Sequence, residues 1–235
     1  NAAGTTISTT EHLMAALAGC AIDNALVELD GPEVPIMDGS AEPFVRLMEC
    51  AGMVEQAAAR RVIRVLKDIE VFDGRRRATI EPSGDFVVDL EIDFKNPAVA
   101  QQRREYRALD FSFKEEFGRA RTFGFAEDAS ALRSAGFARG GSLENAVVVD
   151  GTKILNDGGL RYDDEFVRHK VLDCIGDMYL AGGPLMAKIT GVRSGHAMNH
   201  QLLRALFADP DAWAIEDALP AGFGPDADLL AAATA

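Results

Sequence analysis

Between residues 166 and 178 the apolar positions Val167, Val171, Leu172, Ile175 and Met178 recur at the spacing of one helical face, and no proline interrupts them. This pattern predicts a helix. On it His169, Asp173 and Asp177 stand four residues apart and project from one side, a turn apart. An imidazole and a carboxylate so placed can hold the same cation, or can pair as an ordinary helix-surface couple. A third ligand from elsewhere in the chain decides between them.

The N-terminal part reads as two helices and a strand. Ser8-Thr9-Thr10-Glu11 matches a capping box ahead of a helix through Leu13, Ala16, Leu17 and Ala18, which Gly19 loosens. Residues 25–30 alternate like a strand closed by Gly31-Pro32. After the turn at Asp38-Gly39, Ser40 can cap a helix over 42–51, with Pro43 in its first turn. Residues 54–60 form a polar, alanine-rich link.

Beyond the link, 61–66, 69–72, 77–81 and 86–92 alternate apolar and polar residues between turns at Asp73-Gly74 and Ser83-Gly84, which predicts an antiparallel meander. Residues 101–109 add a further strand and 111–119 a helix. A strand at Phe123, a short helix over 127–134 and a strand over 146–150 make a small βαβ arm. Residues 185–192 predict a strand and 197–207 a helix just after Gly195-His196. The end of the chain is rich in alanine, glycine, proline and aspartate and reads as loosely held.

Composition narrows the function classes. The chain of 235 residues has 48% hydrophobic and 26% charged residues, which suits a soluble globular protein with a real core. No apolar run reaches membrane-spanning length, so an integral membrane protein is not expected. A formal charge of −13 opposes broad contact with nucleic acid or anionic bilayers. Three scattered cysteines, Cys20, Cys50 and Cys174, argue against a disulfide framework and for a cytoplasmic setting. The opening Asn1-Ala2-Ala3-Gly4 runs almost directly into a helix with no methionine, from which a missing N-terminal portion is expected.

Only four histidines are available to complete a site. If His12 joins His169 and Asp173, two imidazoles and one carboxylate result, a set that suits Zn²⁺ with a position open for water. Glu11 beside it then serves as general base, or else belongs only to the capping box. His196, at a strand-to-helix turn, can act as a general acid oriented by Asp177, or can be a capped or buried histidine. Lys170 and Thr122 can stabilise an oxyanion, or can be a solvated lysine and a plain strand residue. His200, between polar Asn199 and Gln201, reads as a surface residue.

Five motifs in order carry a resemblance: Thr9-Thr10-Glu11-His12-Leu13-Met14-Ala15-Ala16, Ile36-Met37-Asp38-Gly39-Ser40-Ala41, Arg119-Ala120-Arg121-Thr122-Phe123-Gly124, Phe166-Val167-Arg168-His169-Lys170 with Asp173, and Ser194-Gly195-His196-Ala197-Met198-Asn199. Together they resemble the UDP-3-O-acyl-N-acetylglucosamine deacetylases (LpxC) of lipid A biosynthesis, from about Thr5 to past Trp213. The resemblance implies an α+β fold of two layered α/β sandwich domains with helices packed between the sheets. Residues 1–56 would be the remainder of the first domain without its N-terminal strands, and 57–220 the second, with the arm inserted at about 124–149. Residues 221–235 would be a tail.

The same likeness implies zinc on His12, His169 and Asp173, Glu11 activating water, and His196 with Asp177 protonating the leaving amine. Thr122 and Lys170 would meet the substrate or oxyanion, Phe123 would pack on the sugar, and Ala129, Gly141, Ser142 and Val148 would line an acyl passage. The implied partner is a small UDP-linked acylated amino sugar, bound by a monomer. His200 stands where the family usually has an uncharged polar residue. Two alternatives fit the same residues: a noncatalytic remnant that binds nucleotide sugars, and a zinc deacetylase of another acylated sugar.

Overall fold

The computed structural model describes residues 4–109, 112–128, 134 and 140–217. These form an α+β fold in which helices pack against curled sheets. The larger sheet has seven strands: β1 (Arg61–Val65), β2 (Ile69–Asp73), β3 (Arg76–Pro82), β4 (Val87–Asp93), β5 (Gln101–Arg107), and then β9 (Leu185–Val192) and β10 (Trp213–Asp217) from late in the chain. A three-stranded sheet holds β6 (Phe123–Phe125), β7 (Val147–Asp150) and β8 (Lys153–Ile154). The helices are α1 (Glu11–Gly19), α2 (Glu42–Ala51), the short α3 (Phe113–Glu116), α4 (Glu165–Tyr179) and α5 (His196–Ala208).

The larger sheet is not a meander. The hairpins β2–β3 and β4–β5 form, but β3 and β4, expected to pair across the Ser83-Gly84 turn, are separated by β9, antiparallel to β3 and parallel to β4. Its first residues, Leu185 and Met186, also pair parallel with β1. A tight turn dictates pairing inside a hairpin and says nothing about which strand fills the gap between two hairpins. Strand β9 fills it because Leu185, Ala187, Ile189 and Gly191 alternate inward while their neighbours stay half-buried.

Helix α4 is enclosed nearly all round, with Arg168, Lys170 and Tyr179 alone among its residues half-exposed. One side lies on the sheet core of Ile63, Val88, Leu90 and Ile189, and the other receives α1. The close approach of α1 depends on Gly176, where a Cβ would collide with the Glu11 carbonyl oxygen. At the start of α4, Phe166 and Val167 join Ile92, Val99, Val147 and Val149 in a second cluster that seats the small sheet.

Two local expectations are corrected. Residues 25–30 do not form a strand: among the described residues no strand pairs with them, and Leu26 is 90% exposed. An isolated extended segment has no ladder to satisfy its amides. The capping box is also not formed, because Thr10 occupies the N-cap and its side chain accepts no cap hydrogen bond. Ser8 instead bridges to Glu33, and Thr9, at φ 57°, donates to the Glu33 carboxylate. Ser40 does receive the Glu42 amide at 3.3 Å. In the arm, β6 and β7 pair in parallel as a βαβ unit requires. Most of the helix expected over 127–134, and the C-terminal tail, lie outside the described residues.

Candidate active site

The crossing of α1 over α4 at Gly176 brings His12 to the face of α4 that carries His169 and Asp173. The Nε2 atoms of His12 and His169 lie 3.6 Å and 3.2 Å from one atom, Asp173 Oδ1. One ligand atom from each residue falls within 4.8 Å of the others, and all three residues are buried. Ligands at about 2.0–2.2 Å around a tetrahedral ion are themselves roughly 3.3–3.6 Å apart, so the two measured edges suit such an ion.

The donor set fits a cation for a second reason. Asp173 Oδ1 is buried and has no hydrogen-bond partner, whereas Oδ2 accepts from Lys170. A carboxylate oxygen left orphaned between two imidazoles marks a place for a positive charge. His169 is turned correctly for this, because its Nδ1 meets the Ala120 carbonyl at 3.0 Å and so carries the ring proton. Burial holds His169 below its ordinary value, with Asp173 opposing and His12 reinforcing that shift. For Asp173, burial would raise the pKa, but His169, Lys170 and His12 together hold it well below the usual carboxylate range. A neutral imidazole and an ionised carboxylate are the forms that bind metals.

Lys170 spends its ammonium on Asp173. Burial pulls its proton affinity down, but Asp173, Asp177 and Glu11 outweigh that and raise it. Among the described residues the Glu11 carboxylate makes no hydrogen bond or ion pair, so failure of the capping box leaves it available. Neighbouring Cys174 is buried, which pushes its thiol up and disfavours the thiolate, and it is not part of the His12, His169 and Asp173 donor group.

On the other side of the tripod, His196 opens α5 and faces Asp177, with Nδ1 at 2.8 Å from Oδ2 and 3.1 Å from Oδ1. Its Nε2 is 3.6 Å from Asp173 Oδ2. The hydrogen bond to Asp177 raises His196 to about 9, against the effect of burial and with help from the Asp173 charge. Asn199 donates to the same Asp177 Oδ2 at 2.8 Å. His200 is not simply a surface residue: its Nε2 is buried 3.4 Å from Asp177 Oδ1, because positions 196 and 200 share one face of α5.

The other expected site residues are placed unevenly. Thr122 is tied through its amide to Gly39 and through its carbonyl to the Val147 amide, beside the Ala120 carbonyl that holds His169. Phe123 lies edge-on to His169 at 6.4 Å between ring centres and to Phe166 at 4.9 Å. Val148 faces away from the core that buries Val147 and Val149. Gly141 and Ser142 precede β7 in the arm, and among the described residues no hydrogen bond, ion pair or ring contact joins them to the tripod. Ala129 lies outside the described residues. The sequence reading missed Gly176, Ala120 and Asn199; only Asn199, on α5 beside His196, left a signal in residue type.

A single-ion candidate centre between two helices of an α+β frame, with a histidine–aspartate pair at its edge, defines a class of metal-site proteins rather than one activity. Comparison with known proteins goes further. The family described as LpxC, UDP-3-O-acyl N-acetylglycosamine deacetylase, matches residues 1–208, and the chain belongs to it. A relative from Phenylobacterium zucineum, named UDP-3-O-acyl-N-acetylglucosamine deacetylase, is 53% identical over 215 residues, covering 92% of this chain and 73% of the relative. Proteins of the same name from Shewanella frigidimarina and Shewanella piezotolerans are 49% and 50% identical, covering 91% and 90% of this chain and 70% of each relative. Among the described residues no helix is long and apolar enough to cross a membrane.

Proposed function

We propose that the chain hydrolyses the acetamide of a UDP-linked, 3-O-acylated N-acetylglucosamine, releasing acetate and the free amine, as a zinc-dependent step of lipid A synthesis in the cytoplasm. The observation that carries this reading is the convergence of two Nε2 atoms on the partnerless Asp173 Oδ1. His12, His169 and Asp173 would hold the zinc, which when bound polarises a carbonyl and lowers the pKa of water to about 7.

The remaining work falls to the chain's own side chains. Glu11, free of a cap, takes the proton of the attacking water. The Thr122 hydroxyl and an ammonium N–H of Lys170 other than the one bonded to Asp173 donate to the developing oxyanion. His196, protonated because Asp177 holds its Nδ1–H, gives its Nε2 proton to the departing amine. Phe123 offers a ring face to the sugar, and Val148, with Ala129, Gly141 and Ser142 of the arm, lines the way for the acyl chain.

The purified chain should carry about one zinc per molecule and release acetate from the UDP substrate; a metal-free, inactive chain rules the reading out. Replacing His196 by Ala should lower kcat about 100-fold or more, measured under saturating substrate. A rate near that of the unsubstituted chain would assign both proton transfers to Glu11.

A further inference from the structure

Glu165, the first residue of α4, is fully buried, yet among the described residues its hydrogen bonds and ion pair go to Arg121 and Arg161, not to the tripod or the acid histidine. Its carboxylate is saturated. Oε1 accepts from the Arg121 amide at 3.0 Å and from Arg121 Nε at 2.8 Å, while Oε2 accepts from Arg121 Nη2 at 3.0 Å and from the Arg161 amide at 2.7 Å. Arg121, also buried, adds a bond from Nη2 to the Gly159 carbonyl at 2.9 Å. A buried ion pair costs much desolvation, and an apolar pair of similar volume would pack at least as well. What the pair supplies is direction, through a planar fork that fits in one orientation.

That direction lands on the metal site. Glu165 and His169 are one turn apart on the same face of α4, and in the extended segment that leads into β6 Arg121 meets Glu165 and Ala120 meets His169. Fixing both the backbone and the side chain of Arg121 on Glu165 therefore fixes the Ala120 carbonyl 3.0 Å from His169 Nδ1. We infer that Glu165 and Arg121 form a positioning clamp for His169, holding the Ala120 carbonyl so that Nδ1 keeps the ring proton and Nε2 faces Asp173 and His12. This inference rests on the metal reading above.

Zinc affinity measured by competition with a chelator, together with melting of the metal-free protein, tests it. In Glu165→Gln, an amide group replaces one acceptor oxygen and the zinc Kd should rise by up to about 10-fold, the low end of the loss seen when the direct outer partner of a ligating histidine is removed, because the Ala120 carbonyl itself remains. Arg121→Lys keeps the charge and the backbone amide but loses the fork, and should weaken zinc in the same sense; it decides the matter if Glu165→Gln does not fold. In histidine-labelled, metal-free protein, nitrogen NMR should show His169 protonated at Nδ1 in the unsubstituted chain and a mixture of tautomers in the variant. Unchanged zinc affinity and tautomer with only a lowered Tm would overturn the clamp, reducing the pair to a structural one. An unsubstituted chain that binds no zinc would instead overturn the metal reading beneath it.

Discussion

At Asp177 a single carboxylate serves three side chains: His196 and Asn199 by hydrogen bonds, and His200 at 3.4 Å. The spacing of 169, 173 and 177 on one helix made the carboxylate legible in the sequence, and the motif around Gly195 made His196 legible. His200 keeps the exposure its polar neighbours suggest, with its side chain 40% exposed, while its place four residues after His196 turns its Nε2 toward Asp177. The Asp177 bond has a consequence for stability. His196 is raised from 6.5 to about 9, so its favourable contribution is complete below about 6.5 and disappears as the pH rises through about 9. The metal-free protein should therefore lose denaturation midpoint between those two values. In His196→Gln that slope should be absent when both proteins are unfolded in urea across the range. The effect should be modest, because the His196 side chain is 42% exposed and its charge is partly screened.

At the level of elements, helices and strands with strong periodicity were readable almost to the residue: α2 spans Glu42–Ala51, and β9 spans Leu185–Val192, as their patterns predicted. What could not be read was how they meet. The 25–30 segment has the alternation of a strand but lacks a described neighbour, and the hairpins could not announce that β9 would separate them. That α1 meets α4 followed from the expected set of His12, His169 and Asp173, but not how it gets close enough, since Gly176 in a helical run looks like a weak helix former until the Glu11 carbonyl is found against it. Gly176→Ala should raise the intrinsic helix propensity and yet destabilise the protein by about 1–3 kcal/mol, because the new methyl has to push α1 away. The same displacement carries His12 off the tripod. A thermal melt should thus show a lower Tm, and zinc titration a weaker site. A stabilised variant with full zinc affinity would mean that α1 does not depend on this approach.

Over the whole molecule, the candidate centre joins the first helix of the described chain to a helix near its other end, and both lie in one core with Ala15, Ala16, Leu172 and Ile175. Neither half can form the tripod alone, so an ion that binds the folded arrangement and not the unfolded chain must stabilise the whole fold. With free zinc at about 100 times Kd, the stabilisation should be about 2.7 kcal/mol, visible as a rise in Tm that follows zinc concentration. Asp173→Ala supplies the control, since it removes the orphaned Oδ1 and the partner of Lys170 together. Its metal-free melt is compared directly with that of the unsubstituted chain, and its zinc-dependent rise should vanish. If calorimetry found the same rise in both proteins, the zinc would be binding somewhere other than between these two helices, and the convergence of His12 and His169 on Asp173 would be a packing arrangement with no ion to explain it.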